Sequence, residues 1–188
     1  MWVLPVAGGP LRKLEDDTWG AVPSPDGSRI AFRRSSGTEI WLLDAAGGAK
    51  RRLVSAPPGY SFEEALAWSP GGQRIAYLKR NEWGDDFAIE SHDLNTGRSN
   101  VILSDPGLRG FCWARDGRII YARMEGPPLE TSSNLWEIRA DPQTAQARGR
   151  PRPLTNWAGF QFAYLGISND GRRVAFNRSR SQSDVYLG

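Results

Sequence analysis

The stretch Pro25-Asp26-Gly27-Ser28-Arg29-Ile30-Ala31-Phe32 decides the fold, because this 188-residue chain repeats it three more times. The other copies lie at residues 70–77, 115–121 and 169–176, and the copy at 115–121 is one residue short. The turn glycines are Gly27, Gly72, Gly117 and Gly171, so the spacings are 45, 45 and 54 residues. A recurrence of this length means that one supersecondary unit is used repeatedly.

Each repeat predicts four short β-strands. An apolar strand precedes the Asp-Gly turn, where aspartate bonds to its own backbone and glycine accepts φ > 0. The Arg-Ile-Ala-Phe run forms the second strand, because β-branched and aromatic residues favour strands. A third and a fourth strand follow, as at residues 39–43 and 50–54. Such units favour a β-propeller, whose radial stacking covers both sheet faces, over a β-sandwich, which does not repeat its sequence at a fixed period.

The predicted fold class is therefore all-β: a β-propeller of four-stranded antiparallel blades, with about four repeats in one domain or propeller fragment over residues 1–188. Partial repeats are expected at 1–14 and 160–188, and complete ones at 18–54, 62–103 and 108–155. This division counts seventeen strands. The polar segment 141–150 is expected to be an elongated, exposed connection between the third and fourth strands of its repeat.

Composition excludes several classes of function. The net charge is only +3, and the basic residues are scattered rather than clustered on one face, so no nucleic-acid partner is expected. Pairs such as Arg33-Arg34 and Arg51-Arg52 are interpreted as solvated blade edges. No apolar stretch is long enough for membrane insertion. The single cysteine, Cys112, allows no intrachain disulfide and is expected to be a buried structural thiol.

The residues show no catalytic constellation. His92 is the only histidine, and the nearest approach to a nucleophile elbow, Gly59-Tyr60-Ser61-Phe62-Glu63, lacks the final glycine. The acid pairs, such as Asp16-Asp17 and Glu63-Glu64, are interpreted as solvated loop charge. We therefore expect no enzymatic activity, no cofactor and no metal, and turnover of peptide or ester substrates would contradict this expectation.

The repeats resemble the PD40 repeat, also called the WD40-like or TolB-type β-propeller repeat. Residues 23–32 followed by Ile40-Trp41-Leu42-Leu43-Asp44 fit its pattern almost throughout, whereas Gly71 replaces the turn aspartate of the second copy. The resemblance implies a bacterial protein and, in families such as TolB, binding to other proteins. It also implies a periplasmic location or attachment to a membrane-anchored regulator, although the sequence alone assigns no compartment.

Two alternatives stay open at this stage. The chain is similar to the non-catalytic propeller that gates a separate catalytic domain in prolyl-oligopeptidase-type peptidases, and sequence beyond residue 188 would reveal that domain. A carbohydrate-active lyase-like propeller with a central metal is a third option, against which the shortage of histidine counts. The leading prediction is a non-catalytic binding or sensor module with a protein partner.

A partner is expected at the end of the propeller where the connections vary most. The Asp-Gly turns are nearly the same in every copy, whereas the connections at the opposite end differ and hold aromatic residues. Variable loops on a rigid scaffold usually carry recognition, and Trp, Tyr and Arg anchor interfaces. The candidate binding residues are Trp19, Tyr60, Phe62, Trp83, Arg109, Trp157 and Phe160. The competing interpretation is that such aromatics seal contacts between blades. Open blade edges also predict a homo-oligomer.

Overall fold

The computed structural model describes residues 1–5, 7–126 and 132–180, which form sixteen antiparallel β-strands. Their bounds are β1 Trp2–Val3, β2 Arg12–Lys13, β3 Thr18–Pro23, β4 Arg29–Arg34, β5 Glu39–Asp44, β6 Lys50–Ser55, β7 Tyr60–Trp68, β8 Arg74–Asn81, β9 Phe87–Asp93, β10 Ser99–Ser104, β11 Leu108–Trp113, β12 Arg118–Met124, β13 Ser133–Ala140, β14 Ala147–Pro153, β15 Gln161–Ile167 and β16 Val174–Ser179.

The strands group into blades as the repeat predicts. Strands β3–β6 form blade 1, β7–β10 blade 2 and β11–β14 blade 3, and in each blade every strand pairs with the next along the chain. A first hairpin of β1 and β2 precedes them, and a last hairpin of β15 and β16 follows. The seventeenth strand predicted at residues 184–187 lies outside the described residues.

The blades are arranged radially. Strand β3 packs against β7, β7 against β11 and β11 against β15, so the first strand of each unit is the innermost. This arrangement is a β-propeller and not a sandwich. The second strands of the three complete blades, β4, β8 and β12, are buried on both faces; in β8, Ile75, Ala76 and Tyr77 are all inaccessible to solvent. This explains why the repeated Ile-Ala-aromatic run is continuously apolar rather than alternating.

The repeated turn is held by its aspartate. In blade 1 the Asp26 carboxylate accepts hydrogen bonds from the hydroxyl of Ser24, at 2.5 Å, and from the amide of Ser28, at 3.1 Å. These bonds favour the ionised form and lower the pKa of Asp26 to about 2. Gly27 follows with φ of +71°. The last hairpin repeats the arrangement with Ser168 and Asp170.

Arginines at the start of the second strands tie each blade to the next. Arg29 donates to the carbonyl of Gly72 at 3.1 Å, and Arg118 donates to the carbonyl of Gly171 at 2.8 Å. Arg74 does not make the corresponding contact; the carbonyl of Gly117, in the shortened third copy, accepts from the amide of Ala140. These arginines are therefore structural ties between blades.

Arg74 instead connects blade 2 with the β13–β14 turn of blade 3. Its guanidinium lies 2.7 Å from the Asp93 carboxylate, donates to the Ser91 hydroxyl at 2.9 Å and contacts the Gln143 carbonyl at 3.5 Å. Asn100 adds a bond to the carbonyl of Ala145. Arg74 is buried, so these hydrogen bonds join polar groups of blades 2 and 3 within the core.

The expectation for residues 141–150 is wrong about an elongated connection and right about exposure, since all of these residues except Ala145 are exposed or partly exposed. Residues 141–146 form a tight turn in which the Asp141 carboxylate accepts from the amides of Gln143 and Thr144, and β14 begins at Ala147. Ala145 is fully buried between blades 2 and 3, with φ of +56°. The additional length of this repeat lies mainly in the β12–β13 and β14–β15 connections, and residues 127–131 of the first are outside the described residues.

Candidate functional site

A central cleft of about 520 Å³ lies where the four innermost strands converge. Strands β3, β7, β11 and β15 all shift register against their partners at the same level, and the shifted residues line the cleft. They include Gly20, Glu63, Glu64, Arg109 and Tyr164. Bulges redirect side chains and are common beside functional sites, so the repeat itself places variable residues around this opening.

Arg109 is the cation of the cleft. One of its terminal nitrogens donates to the carbonyls of Leu108, at 2.6 Å, and Pro106, at 3.1 Å. The guanidinium lies 4.7 Å from the ring centroid of Phe87, within cation–π range. Partial burial lowers the pKa of Arg109. The nearby Glu63 pairs with Arg80, so the cleft combines an ion pair with an arginine held against an aromatic ring.

Tyr164 is the most exposed large side chain in the cleft, at 70% of its full accessibility. Its φ of +54° lies in the left-handed region, which is unfavourable for a tyrosine. Residues held in such conformations cluster at binding and catalytic sites. Sequence reasoning assigned Tyr164 to a plain strand, because nothing in the sequence marks a bulge whose left-handed residue is not glycine.

We call the end of the propeller that carries the β4–β5, β8–β9 and β12–β13 connections the loop end. Trp83 projects from the β8–β9 connection and is 82% exposed. The side-chain oxygen of Asn81 accepts from the amides of Gly84, Asp85 and Asp86 at 2.9 to 3.1 Å, which braces this connection. The scaffold therefore presents an exposed tryptophan on an ordered loop.

Tyr60 and Trp19 lie at the same end. The Tyr60 hydroxyl donates to the Asp86 carboxylate at 2.9 Å, and Lys79 lies 4.9 Å from the centroid of its ring. The bond to Asp86 raises the pKa of Tyr60. Trp19 is exposed in β3, next to the cleft residue Gly20. Tyr60, Trp83 and Trp19 thus belong to one end of the molecule, as predicted from the variable connections.

The remaining predicted residues divide between surface and packing. Trp157 is partly exposed and packs against Phe162, at 5.5 Å between centroids, and against Phe176, at 6.2 Å. Phe160 carries Arg178 over its ring at 4.3 Å. Phe62 is only 2% exposed and packs edge-on against Tyr77, so its placement on a binding face is corrected: it seals blades 1 and 2.

The polar chemistry of the described residues is mostly structural. They contain no group of three or more His, Cys, Asp or Glu side chains that could hold a metal ion. His92 is buried, with Nδ1 at 3.0 Å from the Ser99 hydroxyl, and desolvation lowers its pKa. This pair lies on the outer strands β9 and β10, away from the cleft. Burial raises the pKa of Cys112 to about 12.

Comparisons with known proteins agree with the repeat pattern. No family model matches the chain. A 61-residue segment, 30% of this chain, is 39% identical to the Tol-Pal system protein TolB of Anaeromyxobacter dehalogenans strain 2CP-C, of which it covers 14%. The crystal structure of TolB from Acinetobacter baumannii superposes with a TM-score of 0.76 at 19% identity, over 97% of this chain and 44% of that one. The chain is a TolB-type, or PD40, β-propeller.

Two further solved structures share the propeller fold. An oligogalacturonate lyase in complex with manganese matches with a TM-score of 0.73 at 15% identity, over 97% of this chain and 53% of that protein. Prolyl oligopeptidase B from Galerina marginata matches with a TM-score of 0.56 at 18% identity, over 84% of this chain and 24% of the enzyme. This TolB-type propeller therefore spans about half or less of the proteins that it resembles. Within its described residues no helix is long and apolar enough to cross a membrane.

Proposed function

We propose that this TolB-type propeller is a non-catalytic module that binds another protein through its loop end and central cleft. The observation that carries the proposal is Trp83, an exposed tryptophan on a loop braced by three hydrogen bonds to Asn81. An aromatic anchor that is already ordered loses little conformational freedom on binding, and such residues dominate interface energetics.

The two ends of the molecule support this choice. At the turn end, opposite the loop end, carboxylates such as Asp26 and Asp170 bind their own turns. At the loop end Trp19 and Trp83 remain exposed, and the cleft behind them holds Arg109 and Tyr164. The relative from Anaeromyxobacter is named as part of the Tol-Pal system, which is consistent with a protein partner for this chain as well.

The test compares two exposed tryptophans. Trp83→Ala should weaken binding to an isolated partner by about tenfold or more, the loss typical of a central aromatic anchor. Trp2→Ala, which removes another exposed tryptophan, in the first hairpin, should leave the affinity unchanged. Titration calorimetry measures both, and matching thermal melts establish that both variants are folded. Equal affinity of Trp83→Ala and the parent would refute the assignment of the loop end.

A second candidate is the gating propeller of a prolyl-oligopeptidase-type peptidase, which the likeness to prolyl oligopeptidase B supports. The sequence of the complete gene separates the candidates, because the peptidase requires a hydrolase domain with a nucleophile elbow. In either case we expect the chain itself not to hydrolyse peptides or esters. Ser99→Ala provides the control, since Ser99 and His92 are a hydroxyl–imidazole pair; activity that this variant abolishes would contradict the non-catalytic proposal.

A further inference from the structure

The outermost strands β6, β10 and β14 are the edges of the three complete blades. A sheet edge presents unpaired backbone N–H and C=O groups, and proteins protect such edges with charges or prolines. Strand β6 begins with Lys50-Arg51-Arg52. Strand β14 contains three arginines together with Pro151 and Pro153, which lack the amide proton that a new partner strand would need.

Strand β10 lacks both kinds of protection. It reads Ser99-Asn100-Val101-Ile102-Leu103-Ser104, with no charge and no proline. Val101 is 55% exposed, although its neighbour Ile102 is buried. Short, uncharged, β-branched segments of this kind pair readily with further strands. All three outer strands carry a register shift, so that feature does not distinguish them.

We propose that two copies of this chain associate through β10, antiparallel about a two-fold axis perpendicular to the sheet. Such an axis places the central residue of the pairing opposite its own copy. Pairing centred on Val101 therefore sets Val101 against Val101 and Ser99 against Leu103. No charged residue of the strand enters the pairing, and the two blades become one continuous eight-stranded sheet. The contact is isologous and therefore closes as a dimer.

The same operation brings arginines of the two copies together at the other two edges. Pairing of β14 about its centre sets Arg150 against Arg150 and Arg148 against Arg152, and like charges directly opposite each other are destabilising. Pairing of β6 centred on Arg52 sets that arginine against its own copy. Among the three complete blades, only β10 therefore offers a second copy an edge without arginine or lysine.

Sedimentation or light scattering over a wide range of micromolar concentrations tests the proposal. The parent should approach twice the mass of the 20.8 kDa chain. Val101→Lys should raise the dissociation constant of the dimer by about tenfold, because it replaces a β-branched pair by directly opposed like charges. Val101→Thr keeps a β-branched, uncharged residue and should retain the dimer.

Leu4→Lys is the matched control, since it places the same charge at another exposed apolar residue, on the first hairpin. It should dimerise like the parent. Matching thermal melts show that each variant is folded. A parent that stays monomeric at every concentration overturns the proposal, as does a Val101→Lys variant that dimerises like the parent. Dissociation by Leu4→Lys would place the interface on the first hairpin and overturn it equally.

Discussion

Single turn glycines test the alignment of the repeats. Gly27 has φ of +71° and open space where a Cβ would lie, so Gly27→Ala adds only backbone strain, about 1–2 kcal/mol of unfolding free energy. Gly117 has φ of +84°, and its Cβ would meet the Ala140 carbonyl at 2.8 Å, so Gly117→Ala should cost more. Denaturant unfolding measures both.

The control for these variants is Gly71→Ala, because Gly71 does not have a left-handed φ and meets no close neighbour. Its stability should equal or slightly exceed that of the parent, since alanine restricts the unfolded chain. If Gly27→Ala and Gly117→Ala lost equal amounts, the contact between Gly117 and Ala140 would not matter for stability.

The turn carboxylate Asp26 predicts a pH effect. Its pKa falls from 3.8 to about 2 on folding, so the folded state favours the ionised form. The resulting stabilisation is fully present above pH ~4 and is lost as the pH falls through about 2. As the pH falls from ~4 to ~2, the unfolding free energy of Asp26→Asn should therefore decrease less than that of the parent. Acid unfolding curves monitored by circular dichroism measure the difference, and superimposable pH profiles would contradict it.

At the scale of the element, Arg74 should be the most costly tie between blades. Arg74→Met leaves the buried Ser91 hydroxyl and the partly exposed Asp93 carboxylate without this partner, and the loss of such hydrogen bonds costs about 1–3 kcal/mol. Arg98→Met, which changes an exposed arginine in the β9–β10 turn of the same blade, should alter stability by less than about 0.5 kcal/mol. Urea unfolding compares them, and equal stability of the two variants would show that the interface does not depend on Arg74.

The positions of the strands could be predicted because each repeat carries the same turn and the same apolar run. The repeated turn and the apolar run after it predict strand positions that the structure confirms in the three complete blades. The error about an elongated connection at residues 141–150 had a tertiary cause: the segment is polar in sequence, but Ala145 packs in the core and its carbonyl accepts a hydrogen bond from Asn100 of the neighbouring blade. The arginine ties were missed for the same reason, since a single repeat does not show which carbonyl its arginine meets.

At the scale of the whole molecule, the loop end could be predicted but the roles of its residues could not. Phe62 and Trp83 are both aromatic residues beside polar connections, yet one is buried against Tyr77 and the other projects into solvent. The difference depends on whether an adjacent blade covers the residue. The register shifts bring Tyr164 and Arg109 into one cleft. A single repeat could not predict this cleft, because four innermost strands line it.

Site-specific photocrosslinking from both ends of the propeller tests the central claim, partner binding at the loop end, most directly. A photoreactive residue at Glu82, which is exposed next to Trp83 and leaves that side chain in place, should crosslink to one discrete protein in the cells that make this chain. The same residue at Asn95, exposed in the β9–β10 turn at the turn end, should give no such product. Equal crosslinking from the two positions, or the discrete product from Asn95 alone, would contradict the account.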